Sequence, residues 1–299
     1  MIAFLFGAAM LAAQPVDSLR AQVESRVARI PGAEAAVAYI DLATGDTLFF
    51  SADSSFHAAS TMKVPVMVEL FRSAQAGRIS MGQGILLVNQ FASIVDGSPY
   101  SLDPAADGDT VLYRRIGERV PVDTLLRLMI TRSSNLATNT LIALVGAVEV
   151  TRAMRGLGAE RIEVRRGVED GKAYDRGLNN TTTARDLAMI LRAIEEANGI
   201  SAADRQHMLD ILLAQEFNQK IPAGVPRGVR VAHKTGEITA HSHDAAIVYP
   251  PNRRPYVLVV LTRGIADAAA ADKLIADLSA IVYAHNTARA ALNASPPRP

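Results

Sequence analysis

Apolar positions recurring every four residues open the readable part of the chain. Leu19, Val23 and Val27 stand among polar neighbours, the repeat of an amphipathic helix over residues 16–30, and Pro31-Gly32 closes it. Two short β-type runs follow, Ala35 to Asp41 and Thr47 to Ser51, separated by the turn residues Thr44-Gly45-Asp46. The apolar run Val64 to Leu70 belongs to a helix reaching about Ala76. Pro65 falls in its second turn, where a missing N–H should cost or kink something. Residues 79–120 are the least regular, with Gly97-Ser98-Pro99 and Asp103 to Asp109 reading as exposed loop. Helical spacing returns at Pro121 to Ile130, Asn135 to Val145, Val148 to Leu157, Thr183 to Asn198 and Ala202 to Leu213.

The last third changes to β-rich runs, Arg230 to Lys234, Asp244 to Tyr249 and Tyr256 to Thr262, with a turn at Pro250-Pro251-Asn252. A long amphipathic helix, Asp267 to Ala288, and a flexible tail over 291–299 end the chain. The economical fold is α/β of the α+β kind. One antiparallel sheet is built from residues 16–70 and 200–290 and covered by the terminal helices, with a helical subdomain of residues 71–199 beside it.

Composition narrows the partners. Lys+Arg 31 against Asp+Glu 30 leaves a formal charge of +1, with no basic excess to attract a nucleic acid. Cysteine is absent, which excludes disulfides, thiolate metal sites and a cysteine nucleophile. Ile2 to Ala13 has the length of a signal-peptide apolar core, although no Lys or Arg precedes it, and residues 1–13 are expected to direct export to the periplasm or medium. No later run is long and apolar enough to be a membrane anchor.

Three polar stretches carry candidate chemistry. Ser60-Thr61-Met62-Lys63 puts a hydroxyl and an amine one helical turn apart, and an amine with a lowered pKa can take the hydroxyl's proton. Ser133-Ser134-Asn135 sets a hydroxyl and a carboxamide at a helix junction, where an ordinary serine N-cap is the plainer reading. Lys234-Thr235-Gly236 ends a β-run, again readable as a simple strand end before a turn. His241-x-His243-Asp244 could present two imidazoles on one strand face, but no third ligand cluster lies near, and no metal is expected.

In their order and separation, Ser60-x-x-Lys63, Ser133-x-Asn135 and Lys234-Thr235-Gly236 resemble the penicillin-recognising serine hydrolases, in particular the class A β-lactamases. Asn139, the run Asn180-Thr181-Thr182-Thr183 and the strand around His243 to Pro251 look like class A surroundings too. The resemblance implies a five-stranded antiparallel sheet flanked by helices, no cofactor, and a small-molecule β-lactam substrate acted on by a monomer. It implies that Ser60 is acylated, Lys63 is base or relay with its pKa lowered by Lys234, and Ser133 protonates the leaving lactam nitrogen. Asn135 would hold the substrate amide, and Lys234 with Thr235 the carboxylate. Gly236 would let substrate approach the strand, and the N–H groups of Ser60 and Glu237 would form the oxyanion hole.

The chain also departs from that pattern. The carboxylate that should activate the deacylating water is Glu169, with Asp170 a weaker candidate, in an altered Arg166-Gly167-Val168-Glu169-Asp170 stretch. Asn180 replaces the aspartate that would close the loop by a salt bridge to Arg165 or Arg166. Ser134 stands where class A has Asp, and Glu237 is a bulky anion that could repel anionic substrates. The implied activity is a serine β-lactamase. The alternative is a D,D-peptidase-like penicillin-binding enzyme of cell-wall peptides.

Overall fold

The computed structural model describes residues 16–293. The apolar run at 2–13 and the end of the tail lie outside the described residues. From the start, α1 (Val16–Val27), β1 (Glu34–Asp41) and β2 (Thr47–Phe50) follow the predicted helix and hairpin. A two-residue strand β3 (Phe56–His57) leads into a 3-10 turn, Ala59–Met62, and α2 (Lys63–Gln75). Pro65 is therefore the third residue of α2, not a residue of its second turn. Its missing N–H falls among the first-turn donors that have no intrahelical acceptor, which removes the expected kink.

Within the irregular residues 79–121 lie short two-stranded ribbons: β4 (Gly84–Leu86), β5 (Phe91–Ala92), β6 (Pro99–Tyr100) and β7 (Arg119–Pro121), with β4 pairing β7 and β5 pairing β6. Then come α3 (Val122–Thr131), α4 (Asn135–Val145), α5 (Ala147–Arg155), α6 (Gly171–Asp175), β8 (Thr181–Thr182), α7 (Ala184–Glu195) and α8 (Ala202–Leu213). The chain closes with β9 (Arg230–Ile238), β10 (His241–Tyr249), β11 (Tyr256–Arg263) and α9 (Ala268–Asn293), which runs into the segment expected as tail. Among the described residues no single helix is long and apolar enough to cross a membrane.

The sheet is five-stranded and antiparallel, in the order β2-β1-β11-β10-β9, so both ends of the chain meet at its centre and β9 is an edge. Both faces are covered. Val37, Tyr39, Val248, Leu258 and Val260 pack under α1 and α9, where Leu274, Ile275 and Leu278 meet them. Ala36, Ala38, Ile247, Val257 and Val259 face the helical body built on α2, α3, α4, α7 and α8. Strands buried on two sides read as continuous apolar runs because neither face needs polar residues. α2 runs through that body with Val64, Val66, Met67, Val68 and Leu70 fully buried, and this holds the turn at Ser60 fixed against the edge strand β9.

Candidate active site

Ser60 lies in the 3-10 turn before α2, so the expected single helix is a 3-10 turn followed by an α-helix. The turn is entered by Ala59 at φ 46° and pinned from three sides. Ala58 N–H donates to Asn180 O (2.8 Å), Ala59 N–H to His57 Nδ1 (3.0 Å), and the Thr61 hydroxyl to Ala58 O (2.6 Å). Strand β9 continues through Lys234-Thr235-Gly236 to Ile238, where the sequence suggested a strand end. A Cβ on Gly236 would stand 3.0 Å from the backbone nitrogens of both Ser60 and Thr61. The glycine therefore serves close packing of the strand on the Ser60 turn, beyond any approach of substrate.

Ser133 and Ser134 divide two roles. Ser134 is the N-cap of α4, its Oγ accepting from Ala137 N–H (3.3 Å). Ser133, at φ 57°, turns its hydroxyl between two amines, 3.1 Å from Lys63 Nζ and 3.0 Å from Lys234 Nζ. Lys63 Nζ also donates to Ser133 O (2.7 Å) and Asn135 Oδ1 (3.0 Å), and Lys234 Nζ to Thr235 O (2.9 Å). Both lysines are fully buried. Burial pulls Lys63 down to about 7, while the carboxylates of Asp107 and Glu169 hold it from falling further. Burial first, and the charge of Lys63 second, push Lys234 well below the usual lysine range. Burial, one of the two causes expected from the sequence, thus leads for Lys63, and Lys234, the cause implied by the resemblance, is not among those that lower it. A neutral Lys63 keeps two N–H donors for Ser133 O and Asn135 Oδ1 and has a lone pair that can accept a proton. An amine so shifted can accept a proton near neutral pH.

Glu169 is held by the loop behind it. Asn139, on α4, clamps the preceding residue: its Oδ1 accepts Val168 N–H (2.6 Å) and its Nδ2 donates to Val168 O (3.0 Å). A Cβ on Gly167 would collide with that carboxamide, 2.6 Å from its oxygen. Glu169 follows at φ 61° and accepts a hydrogen bond from Asn135 Nδ2 (2.6 Å). Asn135 therefore joins the Glu169 carboxylate at one end to the Lys63 amine at the other. Burial raises the pKa of Glu169, against the lowering by Asn135. A raised acid beside a lowered amine is the pattern of an acid–base site.

Asp170 is committed elsewhere. It caps α6 through Ala173 N–H (3.1 Å) and accepts from the Ser93 hydroxyl and Ile94 N–H (2.9 Å each). The neck of the loop closes without a salt bridge. Asn180 accepts from Arg165 and Arg166 N–H (2.8 and 3.1 Å) and donates to Arg166 O (3.0 Å), while the buried Arg166 guanidinium reaches Leu178 O, Gly167 O and Asn179 Oδ1. Arg165 pairs with Glu163.

Three residues were missed in the sequence. Asp107 accepts from the backbone N–H of Asn135 and Leu136 (2.9 Å each) and from the Tyr113 hydroxyl (2.8 Å). It supplies the carboxylate beside Ser133-Ser134-Asn135 that Ser134 lacks. The absence of an acid in that motif was the available signal. Lys220, buried below the sheet edge, pairs with Glu237 and with Asp272 (3.0 Å). His57 joins the site wall, its imidazole kept neutral to about pH 4 by burial and by Arg166. His243 is turned inward, its Nε2 on His57 O (2.9 Å) and its Nδ1 on Thr262 N–H (3.2 Å), so both ring nitrogens are engaged.

A cavity of about 500 Å³ joins these groups, lined by Ser60, Asn135, Glu169, Arg166, His57 and Glu237. A smaller one of about 200 Å³ lies against it, lined by Ser60, Ser133, Asn135, Phe217, Thr235 and Glu237. All nine residues singled out from the sequence, Ser60, Lys63, Ser133, Asn135, Glu169, Lys234, Thr235, Gly236 and Glu237, line these cavities or bond directly to residues that do.

Comparison with known proteins returns one picture. The sequence profile of the beta-lactamase enzyme family matches residues 18–286. The β-lactamase of Streptomyces albus G is 27% identical over 260 residues, covering 85% of this chain and 80% of that protein. β-Lactamase AST-1 of Nocardia asteroides is 29% identical over 256 residues, covering 84% and 78%. Among solved structures, PBP-A superposes with a TM-score of 0.77 at 28% identity, over 92% of this chain and 98% of that one. A point mutant of PBP-A, solved as an acyl-enzyme complex with penicillin-G, gives 0.77 at 29% identity, over 91% and 97%. The class A β-lactamase of the last common ancestor of Gram-negative bacteria gives 0.78 at 27% identity, over 89% and 98%.

Proposed function

Because this chain belongs to the beta-lactamase enzyme family, we propose that it is a serine β-lactamase which opens β-lactams through an acyl-enzyme on Ser60 and then hydrolyses that ester. Neutral Lys63 takes the proton of Ser60 as Oγ attacks the lactam carbonyl. The Ser133 hydroxyl, set between Lys63 and Lys234, passes a proton to the departing ring nitrogen as the C–N bond breaks. The N–H groups of Ser60 and Glu237 receive the developing oxyanion, each such donor contributing about 10²–10³ in rate. Asn135 holds the substrate amide, and Lys234 with Thr235 its carboxylate.

The observation that carries hydrolysis is Glu169. Its carboxylate lines the same cavity as Ser60 and has a raised pKa, which suits a group that must take a proton from water near neutral pH. One observation favours the second reading, a D,D-peptidase-like enzyme whose acyl acceptor is a peptide amine. The residue clamped by Asn139 is the apolar Val168, and Glu169 reaches the site only from the next position, at φ 61°. PBP-A also superposes as well as a β-lactamase does. Steady-state turnover of a chromogenic cephalosporin separates the two: sustained hydrolysis supports the β-lactamase, and a single burst with a persistent adduct supports the other. The apolar run at residues 2–13 supports action outside the cytoplasm, and the resemblance to class A enzymes is the support for a monomer. N-terminal sequencing of exported protein and sedimentation velocity test those two points.

A further inference from the structure

The wall that would receive a substrate carboxylate already holds one. The pleat of β9 puts the side chains of Thr235 and Glu237 on the same face, and both line the cavity containing Ser60 and Ser133. Lys220 comes up beside that face from the turn before Ile221–Gly224, with its side chain only 1% exposed, and its ammonium bonds the Glu237 carboxylate. Asp272, on α9, takes the same ammonium at 3.0 Å and is itself held by the Ser242 hydroxyl (3.0 Å). One carboxylate suffices to neutralise Lys220, and Asp272 provides it from below. Glu237 is the surplus anion. Its side chain is 58% exposed, so solvent can take it over when the pair opens.

We propose that Glu237 is an internal carboxylate gate: it occupies Lys220, the second cation of the substrate-carboxylate site, and an anionic substrate must displace it before docking beside Thr235. The inference rests on the reading above, in which that carboxylate is held by Lys234 and Thr235. It makes Glu237 a specificity-determining residue, selecting against ligands that carry a negative charge at this end of the cleft and leaving neutral ones unhindered. Opening the pair converts Lys220 from a neutralised structural cation into an anchor, still oriented by Asp272.

The test compares acylation of Ser60 by benzylpenicillin, an anion, with acylation by its neutral methyl ester, both read as adduct by intact mass. In Glu237→Gln, which keeps the length of the side chain, the anion-to-ester ratio of acylation rates should rise about tenfold at low salt. The gain should shrink as added salt screens the cleft. Adding Lys220→Met to Glu237→Gln should cancel it. An unchanged or lower ratio in Glu237→Gln overturns the gate. Adduct formation reports acylation whether or not the ester is later hydrolysed, so failed turnover counts against the β-lactamase reading alone. Absence of any adduct, with either compound and in either protein, overturns both.

Discussion

Replacing Asp107 by Asn removes one negative charge near the Lys63 amine while keeping the shape of the side chain. Lys63 Nζ lies 3.0 Å from Asn135 Oδ1, and the backbone nitrogen of the same Asn135 lies 2.9 Å from the Asp107 carboxylate. Two hydrogen bonds of ordinary length in series through one residue put the carboxylate on the order of 7 Å from the ammonium. At an effective dielectric constant of about 20, this gives an attraction of about 2 kcal/mol, equivalent to a pKa change of one to two units. Asp107 stabilises the charged amine, so its loss lowers the pKa of Lys63 from about 7. More of the amine is then neutral at low pH, and the acidic limb of the acylation rate should move downward by about one unit or more. The carboxamide has one acceptor oxygen for the N–H groups of Asn135 and Leu136 and the Tyr113 hydroxyl, so stability should also fall by about 1–3 kcal/mol. The assay is the rate of adduct formation with a penicillin from pH 5 to pH 9, alongside thermal melting. A lower melting temperature with an unmoved acidic limb would refute the electrostatic argument and leave Asp107 a purely structural cap.

Three further outcomes follow from the same geometry. Ser60→Ala should melt like the parent and form no adduct with penicillin; a retained adduct would remove Ser60 as nucleophile. Gly236→Ala places a methyl group 3.0 Å from the backbone nitrogens of Ser60 and Thr61 and should cost acylation at least about tenfold with a small change in melting, measured as adduct formation. Asn139→Ala frees the Val168 backbone and should destabilise the loop by about 1–3 kcal/mol, slowing ester hydrolysis more than ester formation in single-turnover mass measurements.

The parts of this protein legible in its sequence are those with local periodicity or a fixed spacing. Leu19, Val23 and Val27 announced α1, and the residues of α8 were read to their ends because both depend on neighbours within a few positions. Ser60, Lys63, Ser133, Asn135 and Lys234 were legible as a set because each motif is short and rigid. The continuation of β9 was not. Lys234-Thr235-Gly236-Glu237 is polar, and its strand conformation comes from pairing with β10 through Asp244↔Thr235 and Ser242↔Glu237, which no local pattern encodes. Asp107 was hidden for a similar reason. It lies 28 residues before Asn135 in a stretch rich in Asp, Ala, Pro and Gly, and reaches the site because Gly108 lets the loop backbone lie against Arg132 O. Lys220, between α8 and β9, carried no signal beyond its charge. Asn180 was seen as a lost salt bridge, but its carboxamide closes the loop through backbone groups that the side-chain sequence does not display.

The central claim is that the ester on Ser60 is hydrolysed by water activated at Glu169, and intact mass of the protein during penicillin turnover tests it most directly. The Asn135 carboxamide can still donate to a glutamine oxygen at position 169, so Glu169→Gln should preserve the loop and acylate normally. Removal of a general base costs about 10²–10⁴ in rate, so the variant should accumulate the covalent adduct for minutes or longer while the parent protein returns to its unmodified mass. Asp170→Asn should instead behave as a loop-stability variant, because Asp170 is occupied by Ser93, Ile94 and Ala173. A parent protein that itself holds a long-lived adduct, with Glu169→Gln indistinguishable from it, would contradict the account and point to an acyl acceptor other than water.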